Sequence, residues 1–163
     1  MDEIEQQVLA VASATGVPFE QFPCDPELAD TAEFCEHYGF LPDDSANTIV
    51  IASKGESPVY VACVVLATHR LDVNGAVRKR LGVRKVSFSP AEVTAAVTGM
   101  VMGGVTPFGL PESLPLWIDS AVMQRERIVV GGGSRSLRIV GSPEMLVALP
   151  SAEVVEGLAR QMM

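Results

Sequence analysis

The stretch TGMVMGGVTPFGLP, from Thr98 to Pro111, holds the adjacent glycines Gly103 and Gly104 together with Pro107 and Pro111. Adjacent glycines permit positive φ and close approach of backbone, so their N–H groups can be aimed at a ligand. The two prolines fix φ at about −65° and push the residues before them toward extended conformations. No helix or strand accommodates that combination, so the segment reads as a preorganised loop. Gly103 to Pro107 spells G-x-x-x-P, with Thr106 inside it and Phe108 directly after it. The Thr106 hydroxyl can serve a ligand or satisfy its own turn.

Upstream, Ile4, Val8 and Val11 recur at helical spacing until Gly16 and Pro18 interrupt it, which predicts a helix over residues 3 to 14. Asp30 and Glu33 form a capping-box-like start and Gly39 a stop, predicting a helix over residues 31 to 38. The β-branched runs Thr48 to Ala52 and Val59 to Leu66 flank Lys54-Gly55-Glu56-Ser57-Pro58 and read as a hairpin. Asp72 caps a helix carrying Val73, Val77 and Leu81 that Gly82 ends; Val83 to Phe88 returns as a strand, and Ser89-Pro90-Ala91-Glu92 opens another helix.

Downstream of the loop, Leu116 to Asp119, Arg127 to Val130 and Leu137 to Val140 are short strands divided by turns. Ser142-Pro143-Glu144 and Ser151-Ala152-Glu153 each predict a C-terminal helix. Isolated helices alternating with hairpin-like strand pairs argue an α+β fold: a mixed sheet flanked by helices, in one domain over residues 1–163, without internal repeat or linker.

At 163 residues and 48% hydrophobic composition, the chain buries a core without staples. Cys24, Cys35 and Cys63 are odd in number and show no C-x-x-C spacing, which fits reduced thiols. No apolar run approaches the roughly 20 residues that span a bilayer, and the start MDEIEQQ is acidic, so a soluble, cytoplasmic protein without membrane partners is expected. The net charge of −8 is unevenly spread: residues 1 to 53 hold eleven acids and no Lys or Arg, and the remainder holds twelve basic residues against nine acids. Arg70, Arg78, Lys79, Arg80, Arg84 and Lys85 fall close together and either meet phosphates or form an ordinary solvated face.

Nucleophilic triads fail on inventory, because His37 and His69 are the only histidines and neither stands beside a serine or cysteine in a nucleophile elbow. The same two histidines and scattered cysteines offer no zinc-ligand spacing, so no metal and no cofactor are expected. Gly131-Gly132-Gly133-Ser134 lacks the lysine or strand-to-helix context of a phosphate loop.

The Thr48-Ile49-Val50 strand start, Ser87-Phe88 with Ser89-Pro90, the Gly103-Gly104 loop, the strand end Trp117-Ile118-Asp119 and the Gly131-Gly132-Gly133 turn stand in an order that resembles the YbaK/prolyl-tRNA-synthetase-associated domain family, over roughly residues 30 to 150. The resemblance implies a curled, barrel-like mixed sheet with the Gly-Gly loop lining a groove. It implies hydrolysis of a small misattached amino acid from tRNA, in trans, without a metal or cofactor, the partner being the aminoacylated tRNA 3′ end. Carried onto this chain, it makes Asn47, Gly103, Gly104 and Thr106 the candidate catalytic residues, and Pro107, Phe108, Asp119, Gly131 and Gly133 the candidate substrate-binding residues. Many of the family's deacylases have a lysine where this chain has Asn47, and an amide is neutral where an ammonium is charged. A second reading is therefore a non-catalytic module that uses the same groove for an aminoacyl or nucleotide ligand or for a protein partner.

Overall fold

In the computed structural model, which describes residues 1–162, the chain opens with α1 (Glu3–Ala14). Asp2 accepts the Glu5 N–H at 2.7 Å and Glu5 accepts the Asp2 N–H at 3.0 Å, a capping box that satisfies two amides a helix start leaves unpaired. Next come β1 (Phe19–Pro23), α2 (Thr31–Tyr38), β2 (Ala46–Ser53), β3 (Tyr60–Leu66) and β4 (His69–Leu71). A π-helical turn over Val73–Val77 runs directly into α3 (Arg78–Leu81). It is followed by β5 (Val86–Phe88), α4 (Ala91–Thr98), β6 (Leu116–Asp119), β7 (Ile128–Gly131), β8 (Leu137–Gly141), α5 (Glu144–Val147), β9 (Ala152–Val155) and β10 (Ala159–Gln161). From Gly99 to Pro115 there is no helix or strand, as the glycines and prolines predict. Among the described residues no helix is long and apolar enough to cross a membrane.

The strands form three sheets, ordered β5-β2-β3-β6-β9, β1-β8-β7 and β10-β4. β6 lies parallel to both β3 and β9, and the other pairs are antiparallel. The fold is mixed α+β, as expected. The expected curled barrel is corrected: its strands divide among three sheets, none of which closes on itself.

β3 explains why the large sheet is central. Its run Tyr-Val-Ala-Cys-Val-Val-Leu sends Ala62, Val64 and Leu66 into a core shared with Val8, Ile118, Ile139 and Leu146, and Val61, Cys63 and Val65 into a second core with Ile51, Trp117 and Leu158. A strand covered on both faces reads as a continuous apolar run rather than an alternation.

Cys63 is fully buried there, and burial pushes its thiol up to about 12 from an ordinary 9.0. The folded state holds the proton more tightly than the unfolded chain, so stability is full below pH 9 and falls as pH rises toward 12. The expected loss is about 4 kcal/mol across that window. Urea titrations of wild type and Cys63→Ala at pH 8 and 10.5 should show a steeper alkaline loss for wild type; equal losses would exclude this thiol as the cause.

Three further sequence expectations are corrected. The segment opened by Ser151-Ala152-Glu153 forms β9 rather than a helix, because Ala152 to Val155 pair in register with Leu116 to Asp119 of β6. That pairing satisfies the β6 edge and outweighs a local cap signal. Asp30 does precede α2, but its side chain makes no cap bond and lies 3.5 Å from Arg135 instead. The strand expected from Val83 is confined to Val86–Phe88, where it meets Ile51 to Ser53 of β2.

Candidate functional site

A third apolar cluster joins α2 to the β1-β8-β7 sheet and forms the base of a cleft. Phe34 lies within 5.0 to 5.8 Å of the rings of Phe22, Tyr38 and Phe40, and Cys24, Cys35, Val129 and Val140 pack around them. Beside this cluster is a cavity of about 250 Å³. The start of β2 contributes Asn47, Thr48 and Ile49, the start of α2 gives Asp30, Thr31 and Phe34, and β7 and β8 add Val129 to Gly131 and Arg138. Met102, Gly103 and Val105 of the glycine loop line it as well. Thr31 donates its hydroxyl to Asn47 Oδ1 at 3.3 Å, which orients the amide.

Contact between two backbones seats the glycine loop against this cleft. A Cβ on Gly104 would lie 2.6–2.7 Å from main-chain atoms of Ser134, and one on Gly131 would run into the carbonyls of Gly104 and Val105. Gly133 N–H donates to Gly104 O at 2.8 Å. The glycines of the two turns are therefore mutually required: each lets the other's main chain come within van der Waals range. The Gly104 N–H is engaged internally by Val101 O at 2.9 Å, whereas the N–H groups of Gly103 and Val105 donate to no acceptor among the described residues. The Gly104 amide is therefore not free for a ligand.

Residues 25–149 match the family model described as an aminoacyl-tRNA editing domain. The chain belongs to the aminoacyl-tRNA editing domain family. A candidate Cys-tRNA(Pro)/Cys-tRNA(Cys) deacylase of Enterococcus faecalis, EbsC, is 27% identical over 142 residues, which span 86% of this chain and 85% of that one. Among solved structures, a candidate trans-editing enzyme for prolyl-tRNA synthetase superimposes with a TM-score of 0.82 at 18% identity, covering 99% of both chains. A hypothetical protein superimposes with a TM-score of 0.82 at 22% identity, covering 94% of this chain and 99% of that one. At those identities the superpositions show the shared fold.

The editing domain's cleft gathers Asn47, Gly103 and Gly131 of the residues singled out from sequence, with Gly104 packed directly behind them. The others lie elsewhere. Thr106 is fully buried and its hydroxyl accepts the Phe108 N–H at 3.5 Å, the local turn role. Phe108 is fully buried in the main core, and Pro107 lines a separate apolar groove with Val11, Leu110 and Leu149. Asp119 is buried and accepts the Ala159 N–H at 3.1 Å, tying β6 to β10. Gly133 lies under α1, where a Cβ would meet Val8 and Ile4. These five support the fold around the cleft and do not line it.

Several lining residues of the editing domain, Thr31, Thr48 and Arg138 among them, escaped the sequence reading. Thr48 Oγ1 is shielded from solvent and has no hydrogen-bond partner among the described residues. Arg138 is 7% exposed within β8. Its signal was available: a lone charge inside the apolar strand Leu137-Arg138-Ile139-Val140. The basic cluster divides. Arg80 pairs with Glu153 and covers the Trp117 ring at 5.1 Å, Arg78 bonds Asn74 O at 2.8 Å, and Arg84 and Lys85 share a shallow concavity with Lys54.

Proposed function

We infer that this protein is a deacylase acting in trans on tRNA that carries a small misattached amino acid, in the cytoplasm. The observation that carries this reading is the cleft of an editing-family chain, which Asn47 and Thr48 of β2, Gly103 and Val105 of the glycine loop and Gly131 and Arg138 of the β7–β8 pair line together. Each water occupies about 30 Å³, so about 250 Å³ admits a small acyl group and an attacking water. Candidate ligand contacts are Asn47, Thr48, Gly103 and Gly131; Gly104 holds the loop in place. The chemistry is positioning and electrostatic stabilisation, with water as the nucleophile.

A panel of aminoacyl-tRNAs followed for loss of the amino acid tests the reading. Esters of small residues should be cleared well above the spontaneous rate and bulky ones spared. Asn47→Ala should lower kcat about tenfold with a smaller change in KM, as expected for a hydrogen bond that strengthens in the transition state. The second reading, a binding module, is favoured by the neutral Asn47 in the cleft; it predicts saturable binding of the charged tRNA end with no ester loss anywhere in the panel.

A further inference from the structure

Arg138 brings a buried cation into a cleft whose β2 wall carries no charged side chain. Its Nη1 donates to Leu137 O at 3.0 Å and Ser134 O at 3.4 Å, and its Nη2 donates to Ala29 O. A guanidinium has five N–H donors. Three are thereby assigned, leaving the Nε–H and one Nη2 proton without an acceptor among the described residues. No carboxylate lies within salt-bridge distance, since Asp30, the acid at the cleft, is engaged with Arg135. The Phe34 ring, 5.4 Å from the guanidinium carbon, supports its face but supplies no counter-charge. Cys24 and Asp30 are the groups whose negative charge acts on Arg138; burial holds the Cys24 thiol up, and Asp30 is the carboxylate that faces Arg135. Burial, with Arg135 nearby, lowers the Arg138 pKa from its ordinary range against the opposing pull of Cys24 and Asp30.

A buried cation clamped by three carbonyls, short of a counter-ion and lining a cavity, is a built receptor for an oxyanion. We propose that Arg138 is the anion-binding residue of the cleft, holding the acyl oxygen on which negative charge develops during ester hydrolysis and the carboxylate of the released amino acid. This rests on the deacylase reading. Water oxygen bonds to the ester carbonyl carbon, and the carbonyl electron pair moves onto its oxygen, beside Arg138. Collapse of that intermediate breaks the bond to the ribose oxygen, which leaves with a proton from the attacking water. The products are the ribose hydroxyl, a carboxylate and one proton released to solvent. The positive charge thus enters from β8, while Asn47 enters the same cleft from β2.

Two measurements test this. In wild type, the Arg138 Nε–H NMR signal, assigned by its loss in Arg138→Lys, should shift saturably with N-acetyl-L-alanine and not with the equally shaped N-acetyl-L-alaninamide. In kinetics, Arg138→Gln should lower kcat by on the order of 10²-fold with KM within about threefold, and Arg138→Lys should keep much of the rate. Adding Asn47→Lys to Arg138→Gln should recover at least about tenfold, because it returns a charge to the same space. Equal response to the two probes overturns the proposal, as does a folded Arg138→Gln that the second lysine fails to rescue; Arg138 would then be a carbonyl clamp alone. A carboxylate-specific shift in a protein that deacylates nothing upholds the anion site and rejects the deacylase reading instead.

Discussion

Gly104→Ala is expected to remove deacylation almost entirely while lowering the melting temperature by several degrees. The added methyl would sit 2.6–2.7 Å from main-chain atoms of Ser134, and main chain, unlike a side chain, cannot rotate away. The loop must therefore lift off the β7–β8 turn and weaken the Gly133 N–H bond to Gly104 O. Overpacking of this kind costs about 1–3 kcal/mol. The effect on rate is larger, because a displacement of about 1 Å at a positioned group costs roughly 10²-fold. Gly109→Ala is the control: its φ of +93° makes alanine strained, yet its nearest neighbour, the Met100 methyl, is 3.7 Å away and it lies outside the cleft lining. That variant should lose stability and keep its rate. Were Gly104→Ala to retain activity within twofold at an unchanged melting temperature, the contact between the two turns would have no role in building the site.

Phe34→Ala should be the most destabilising single change in the cleft. Phe34 is 2% exposed and its ring is shared by Phe22, Tyr38 and Phe40 on one side and the Arg138 guanidinium on another. Truncating a buried phenylalanine costs about 3–5 kcal/mol, a large part of the roughly 5–15 kcal/mol that holds a domain folded. Urea unfolding should show the midpoint fall accordingly, with Phe34→Leu intermediate. The surviving folded fraction should also bind the acyl group poorly, since α2 carries Thr31, which orients Asn47. A midpoint shift under about 1 kcal/mol would mean that the aromatic cluster is not what anchors α2.

The sequence reading succeeded where local chemistry and burial agree. α1 follows the helical spacing of Ile4, Val8 and Val11, α2 ends at Gly39, and the β2–β3 hairpin shows in two β-branched runs. It failed where a distant partner decides. β1 and β9 carry weak local signals and form because β8 and β6 offer open edges in matching register. Thr106 and Phe108 stand beside the right loop in sequence, but the turn at Pro107 sends them inward to the core.

The sequence alone determined that a glycine pair and two prolines hold an irregular loop and that the chain is an α+β member of the editing family. These are properties of residue type and of neighbours a few positions apart, which backbone sterics impose before any tertiary contact forms. Only the tertiary structure decided which groups share the cleft. Asn47, Gly103, Gly131 and Arg138 are scattered across some ninety positions, and packing of α2 and the glycine loop against the β7–β8 turn brings them to one cavity. A cation's partners are set by distance in space, so that Arg138 meets three carbonyls and the Phe34 ring rather than a carboxylate was decided only when the chain had folded around it.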